Sequence, residues 1–177
     1  MSAVDPPRYT QRPFPPYSYV PGQSPHPLSD PAGHSFGRHD APLADDAALQ
    51  AAYRYGNDLF NYGYYWEAHE AWESAWHFCG RRGGRADFLK GLIKLAAAGV
   101  KLREGKAVGI ERHAARARAL FAAVPQSLLR DGRILGLDLP SLLTAAHQIE
   151  QAASALIEGE ADETHRRLPL RLILHDI

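Results

Sequence analysis

The chain has 177 residues, 45% of them hydrophobic, the size and makeup of one globular domain with appendages. Lys+Arg and Asp+Glu both total 20, so the net charge is zero. That balance argues against a protein built for non-specific phosphate binding, which needs a clear basic excess; nucleic acid is not an expected partner.

The first segment, residues 1–42, holds 10 of the 13 prolines, so it is neither helix nor central strand. It begins MSAVDPPRYTQRPFPP, with no basic start followed by an apolar run, and reads as no secretory signal. The segment is either a disordered tail or an extended arm wrapped over the domain. Phe14, Tyr17, Tyr19, Val20, Leu28 and Phe36 supply anchors for the second.

From residue 43 the pattern is helical. A first helix is expected over 45–62, capped by Asp45 or Asp46 and stopped at Gly63. A second spans 64–78 and ends at Gly80; a third covers 86–104; a fourth covers 107–124, before Pro125. Residues 126–137 hold at most a short helical turn. A fifth helix opens at DLPS, with Asp138 or Ser141 as cap, and runs to about 158. The apolar tail LPLRLILHDI docks on the domain or on a second subunit, which makes a homodimer an expectation. Short loops between long helices predict an all-α antiparallel bundle of four to five helices over residues 43–160, with the tail from 161 to 177. No membrane helix is indicated. A single cysteine, Cys79, leaves no intrachain disulfide or thiolate zinc cage, and the cytoplasm is the expected compartment. Placed at a helix C-terminus, Cys79 is not expected to be a nucleophile.

The first two helices also carry Gly56, Leu59, Phe60, Gly63, Tyr65, Ala68, Trp72 and Ala75, the order of small and large residues in a tetratricopeptide-like hairpin. A second copy is not evident.

The second helix concentrates the chemistry. The stretch GYYWEAHEAWESAWHFCG contains three tryptophans, two histidines and three glutamates. At about 100° per residue, Tyr65, Trp72 and Trp76 fall near His69 on one side and Glu73 lies about 40° on the other. Glu67 and Glu70 lie further round. The expectation is a half-buried His69–Glu73 pair, with Glu67 and Glu70 toward solvent. Three readings follow. The pair is a hydrogen-bonded structural contact packed on tryptophan. Or His-Glu-x-x-Glu supplies two metal ligands, His69 and Glu73, with others from His113, His147 or the arm histidines His26, His34 and His39. Or His69 or Glu70 serves as acid or base in a small-ligand pocket with an aromatic wall.

On the third helix, Phe88, Leu92, Leu95, Ala96, Gly99 and Leu102 line a core face, and Lys90, Lys94 and Lys101 form a stripe behind it. That stripe is a solvated face or an anion- or partner-binding surface, extended by Arg112 and Arg116 on the fourth helix. His113 is the histidine expected nearest the second helix. The sequence has no phosphate-binding glycine loop, nucleophile elbow or dinucleotide fingerprint.

The strings LFNYGYYWEAHEAWESAW and FLKGLIKLAAAGVKLREGKAVGIERHAARA carry Phe60, Glu67, Ala68, His69, Glu70, Glu73, Trp76, Gly91, Leu92 and Ile93 in an order that resembles the domain-of-unknown-function 309 family over about residues 50–122. The arm stretch PHPLSDPAGHSFG looks like the leader of its longer bacterial members. The resemblance implies a compact, cytosolic, bacterial helical bundle and no assigned activity. It marks Glu67, His69, Glu70, Glu73 and Trp76 as motif residues, and with His113 they are the candidate ligand-binding set. The expected function is a partner- or small-ligand-binding domain without catalysis. The alternative is a metal-dependent or acid–base hydrolase with His69, Glu70 and Glu73 at its centre. No cofactor follows from the sequence.

Overall fold

The computed structural model describes residues 5–38, 41–159 and 166–175. Among them are six α-helices and one very small two-stranded sheet, an all-α bundle. Helix α1 (Asp46–Asn61) begins where Asp45 accepts the Ala48 N–H at 2.8 Å, which satisfies one of the open donors of the first turn. It ends before Gly63, whose φ of +81° is the left-handed conformation that reverses the chain. Helix α2 (Tyr65–Phe78), α3 (Gly84–Arg103) and α4 (Ala107–Ala122) follow through short loops, so each packs against its predecessor.

Residues after Pro125 differ from a single helical turn. A 3₁₀ turn (Gln126–Leu128) leads into a tight hairpin of β1 (Arg133–Ile134) and β2 (Leu137–Asp138), in which Ile134 pairs with Leu137. Asp138 then caps α5 (Leu139–Gln151) by accepting the Ser141 N–H at 2.9 Å, with Pro140 in the first turn. The expected fifth helix is interrupted at Ala152, and α6 (Ala153–Glu158) is separate.

Helix α3 is the central element, because it contacts both α2 and α4 along its length. Its predicted face is fully buried: Phe88, Leu92, Leu95, Ala96 and Leu102 are all out of solvent. Small residues let neighbours close in. A Cβ at Gly91 would overlap the Phe121 ring, and one at Gly99 the Tyr65 ring. The three lysines behind that face are half-buried, with Lys90 over the Trp76 ring and Lys101 paired with Glu104.

Both appendages dock on the bundle. In the arm, the N–H groups of Tyr9 and Thr10 donate to the two carboxylate oxygens of Asp58 at 2.7 and 2.9 Å, and the Thr10 hydroxyl adds a third bond at 2.6 Å. Arg8 pairs with the same carboxylate, which is fully buried under this cover. Phe14 stacks on Tyr64, and Val20 is buried. The arm of residues 5–38 is therefore wrapped on the domain, not a free tail, but the expected extended form holds only to about residue 20. Residues 21–37 are a succession of turns closed by local bonds such as Gly33 N–H to the Asp30 carbonyl. The C-terminal segment is likewise extended, without a partner strand. Leu168 and Leu172 enter the core, and their N–H groups donate to the Tyr65 hydroxyl and to Asn61 Oδ1. The apolar tail thus finds its cover within its own chain, which removes the reason for expecting a second subunit. No helix of the described residues is long and apolar enough to cross a membrane.

Candidate functional site

Helix α2 has three environments. Its inner face is Tyr65, Ala68, Trp72 and Ala75, all buried. Trp72 is 0% exposed and donates its indole N–H to the Tyr53 carbonyl at 3.3 Å, so its polar edge is satisfied inside the core.

One flank lies under the arm, and here the face-by-face expectation fails. Glu67 is the buried carboxylate, 6% exposed, not Glu73. Its Oε1 accepts the Tyr19 N–H at 2.8 Å and lies 3.2 Å from His34 Nε2, whose other nitrogen meets the Ser35 hydroxyl at 2.9 Å. Burial pushes the Glu67 carboxyl above its ordinary range, while the Tyr19 N–H, its own N–H at the helix start and His34 pull it back. A helical wheel counts only the packing of helices, and the cover on this flank is supplied by the arm. His26 also belongs to this side, edge-on to Tyr19 and Trp66.

The other flank faces α3 and α4 and carries His69, Glu70 and Glu73. All three are half-buried, and one ligand atom from each lies within 4.8 Å of the other two. His69 Nδ1 is 3.2 Å from Glu70 Oε1, so the hydrogen-bonding neighbour of His69 is Glu70 rather than Glu73. Trp76 follows one turn on, with Lys90 Nζ 3.7 Å above its ring. Burial lowers the Lys94 ammonium, as do Lys90 and Arg116, and Glu73 opposes them. His113 reaches the same region from α4. Burial first, then Lys94, Lys101 and His69, hold its imidazole below the ordinary value. His113 feels the charge of His69, but the expectation that it is the histidine nearest α2 is not met: the arm histidines contact that helix directly, His34 at 3.2 Å from Glu67 and His26 against the Trp66 ring.

The donor set suits a divalent transition ion. One imidazole and two carboxylates are the ligand types of zinc, manganese and iron sites. Ligand atoms about 2.1 Å from a common ion lie at most ~4.2 Å apart, so small rotamer changes at Glu70 and Glu73 would close a 4.8 Å spread. The other histidines do not join. His34 is committed to Glu67 and His147 faces Glu150 on α5, while His39 lies outside the described residues. Cys79 sits at the end of α2 with its thiol pushed up by burial, as expected of an unreactive cysteine.

Sequence reasoning put His69, Glu73 and Trp76 together on α2 and named His113 as a candidate neighbour, but turned Glu70 toward solvent, whereas it lies 3.2 Å from His69. It missed Lys90 and Lys94 as neighbours of that group, and the inward turn of Glu67. Residues 53–113 match the family model described as a domain of unknown function, DUF309. The matched segment contains His69, Glu70, Glu73, Trp76 and His113. No curated protein matches the chain.

Proposed function

From the premise that residues 53–113 belong to the DUF309 family, we propose that this chain is a ligand-binding helical domain whose ligand is a divalent metal ion. His69, Glu70 and Glu73 are the residues that would hold it. The observation that carries this reading is their convergence within 4.8 Å on a half-exposed helix face. Three protein donors leave further coordination positions open. Lys94 lies within the field of Glu73, with Lys90 and Arg116 near it, and this positive charge beside the cluster would favour an anionic second ligand.

Calorimetric titration of chelator-treated protein with zinc and manganese tests this. Near-stoichiometric binding is expected, weakened at least tenfold in Glu73→Gln and in His69→Ala. Equal heats from wild type and both variants, or none from any, would sink the proposal.

A metal-dependent hydrolase is the second reading, and one observation favours it. His113 is held toward its neutral form beside the same cluster, and a neutral imidazole can take up a proton at its free ring nitrogen. A bound divalent ion would supply Lewis-acid polarisation of a carbonyl or phosphoryl oxygen. If this reading holds, hydrolysis of p-nitrophenyl esters or phosphates by the zinc- or manganese-loaded protein falls at least a hundredfold in His113→Ala, while metal affinity stays unchanged. Loaded protein inactive on both substrate classes would leave the binding domain alone.

A further inference from the structure

A second site lies on the neighbouring face of α2, between that helix and the arm. It is a cleft of about 200 Å³, walled on the helix side by Trp66, Glu67 and Glu70 and on the arm side by Arg12, His34 and Arg38. Glu67 spends Oε1 on Tyr19 and His34, but its Oε2 has no hydrogen-bond partner, although the side chain is 94% buried by its 6% exposure. A buried carboxylate oxygen without a donor is costly when ionised, and buried polar atoms are rarely left without a partner from protein, water or ligand. The arm side presents the complement. The Arg12 guanidinium is fixed over the Tyr55 ring at 4.3 Å from its centroid. Among the described residues, neither Arg12 nor Arg38 forms an ion pair.

The cleft therefore has acids on one wall and guanidiniums on the other, and the two do not neutralise each other. We infer that it is a binding site for a small zwitterion of the amino-acid class. On binding, a side-chain shift of Glu67 brings Oε2, now sealed from solvent, to the ligand's ammonium group, and the ligand's carboxylate is received by Arg12 and Arg38. The chemistry matches at both ends. Ammonium is the donor a buried carboxylate holds best, and a guanidinium receives a carboxylate in a two-pronged hydrogen bond. The size matches as well. The cleft is smaller than the ~300–1,000 Å³ of sites for drug-sized ligands, so its occupant is compact. Trp66 offers an aromatic wall for the ligand's side chain. The site adjoins the proposed metal site around α2 and shares Glu70 with it, so the binding tests use metal-free protein.

The test is ligand-observed saturation-transfer NMR on the full chain, treated with chelator, against the twenty proteinogenic L-amino acids in small pools, followed by calorimetric titration of any that respond. At least one free amino acid should bind saturably. Its N-acetylated form, which lacks the ammonium, and its amide, which lacks the carboxylate, should each bind at least tenfold more weakly. Glu67→Gln should abolish binding. Because that position is buried, the double variant Arg12→Ala/Arg38→Ala provides a second arm: both residues are exposed, the fold should survive, and affinity should drop at least tenfold. Binding that survives in the double variant would overturn the inference. So would the absence of saturable binding by every member of the panel to folded wild type, which would mean that solvent fills the cleft.

Discussion

His34 Nε2 lies 3.2 Å from Glu67 Oε1 with both side chains 6% exposed, and this contact pins the proline-rich arm to the first turn of α2. The arm is fastened at a second point by Asp58, whose carboxylate takes three hydrogen bonds from Tyr9 and Thr10. Hydrogen bonds to charged groups contribute about 1.5–3 kcal/mol each, and some of that returns when water replaces the arm. Deleting residues 1–38 should therefore lower unfolding free energy by at least ~3 kcal/mol and the midpoint temperature by roughly 6–12 °C. Urea denaturation and thermal scans measure this. An unchanged midpoint would show that the arm contributes nothing to the fold.

Two titrations give opposite slopes of stability with pH. Glu67 has its folded value raised, chiefly by burial, above the ordinary 4.5. The unfolded chain then releases its proton first. Its contribution is complete below about pH 4.5, is lost as pH rises through the raised folded value, and is level beyond it. His113 has its folded value lowered below the ordinary 6.5 by burial, Lys94, Lys101 and His69. Its contribution is complete above that value and is lost as pH falls from 6.5 toward the folded value. Urea midpoints between pH 4 and 8 should show Glu67→Gln removing a decline above pH 4.5 and His113→Asn removing a decline below pH 6.5. Parallel curves for wild type and either variant would refute that assignment.

The helices were legible because their signals are local. Asp45 and Asp138 cap as their side chains predict, and Gly63 turns the chain as its freedom in φ predicts. The inner face of α2 was legible for the same reason: Tyr65, Ala68, Trp72 and Ala75 recur at helical spacing and pack on neighbouring helices. Glu67 was misread because its burial depends on His34, 33 residues away in an irregular segment. No periodicity in α2 encodes that contact. The partial burial of the α3 lysines has a related cause: as the central helix, α3 has neighbours on more than one side.

The half-exposure of His69 changes what its removal should do. Its side chain is 29% exposed and its hydrogen-bonding neighbour, Glu70, is 32% exposed, so neither is left stranded in the core. His69→Ala in metal-free protein should shift stability by no more than ~0.5 kcal/mol. The difference should appear with the ion present. At a hundred times the dissociation constant, zinc should stabilise wild type by about 2.7 kcal/mol and the variant by far less. Differential scanning fluorimetry with and without zinc reads both effects. A large loss in the metal-free variant would mean that His69 is a structural residue.

Two glycine substitutions test how helix packing, rather than helix propensity, governs α3 and α4. Replacing glycine by alanine inside a helix gains about 1 kcal/mol from propensity alone. At Gly109 in α4, the new methyl would meet Cβ, Cγ and Cδ of the partly exposed Lys101, which has to change rotamer and give up its pairing with Glu104, a cost that offsets part of the propensity gain. Gly109→Ala should therefore be neutral or stabilising by up to ~1 kcal/mol. At Gly99 in α3, the same methyl would overlap the ring of Tyr65. That ring is buried and packed edge-on to Phe60, and its hydroxyl accepts the Leu168 N–H at 2.8 Å, so displacing it also loosens the C-terminal segment. Overpacking a filled core costs about 1–3 kcal/mol, more than propensity returns. Gly99→Ala should be destabilising by ~1–2 kcal/mol, and hydrogen exchange at the Leu168 amide should quicken. If both variants gained stability alike, close approach of Tyr65 to α3 would not be what requires glycine there.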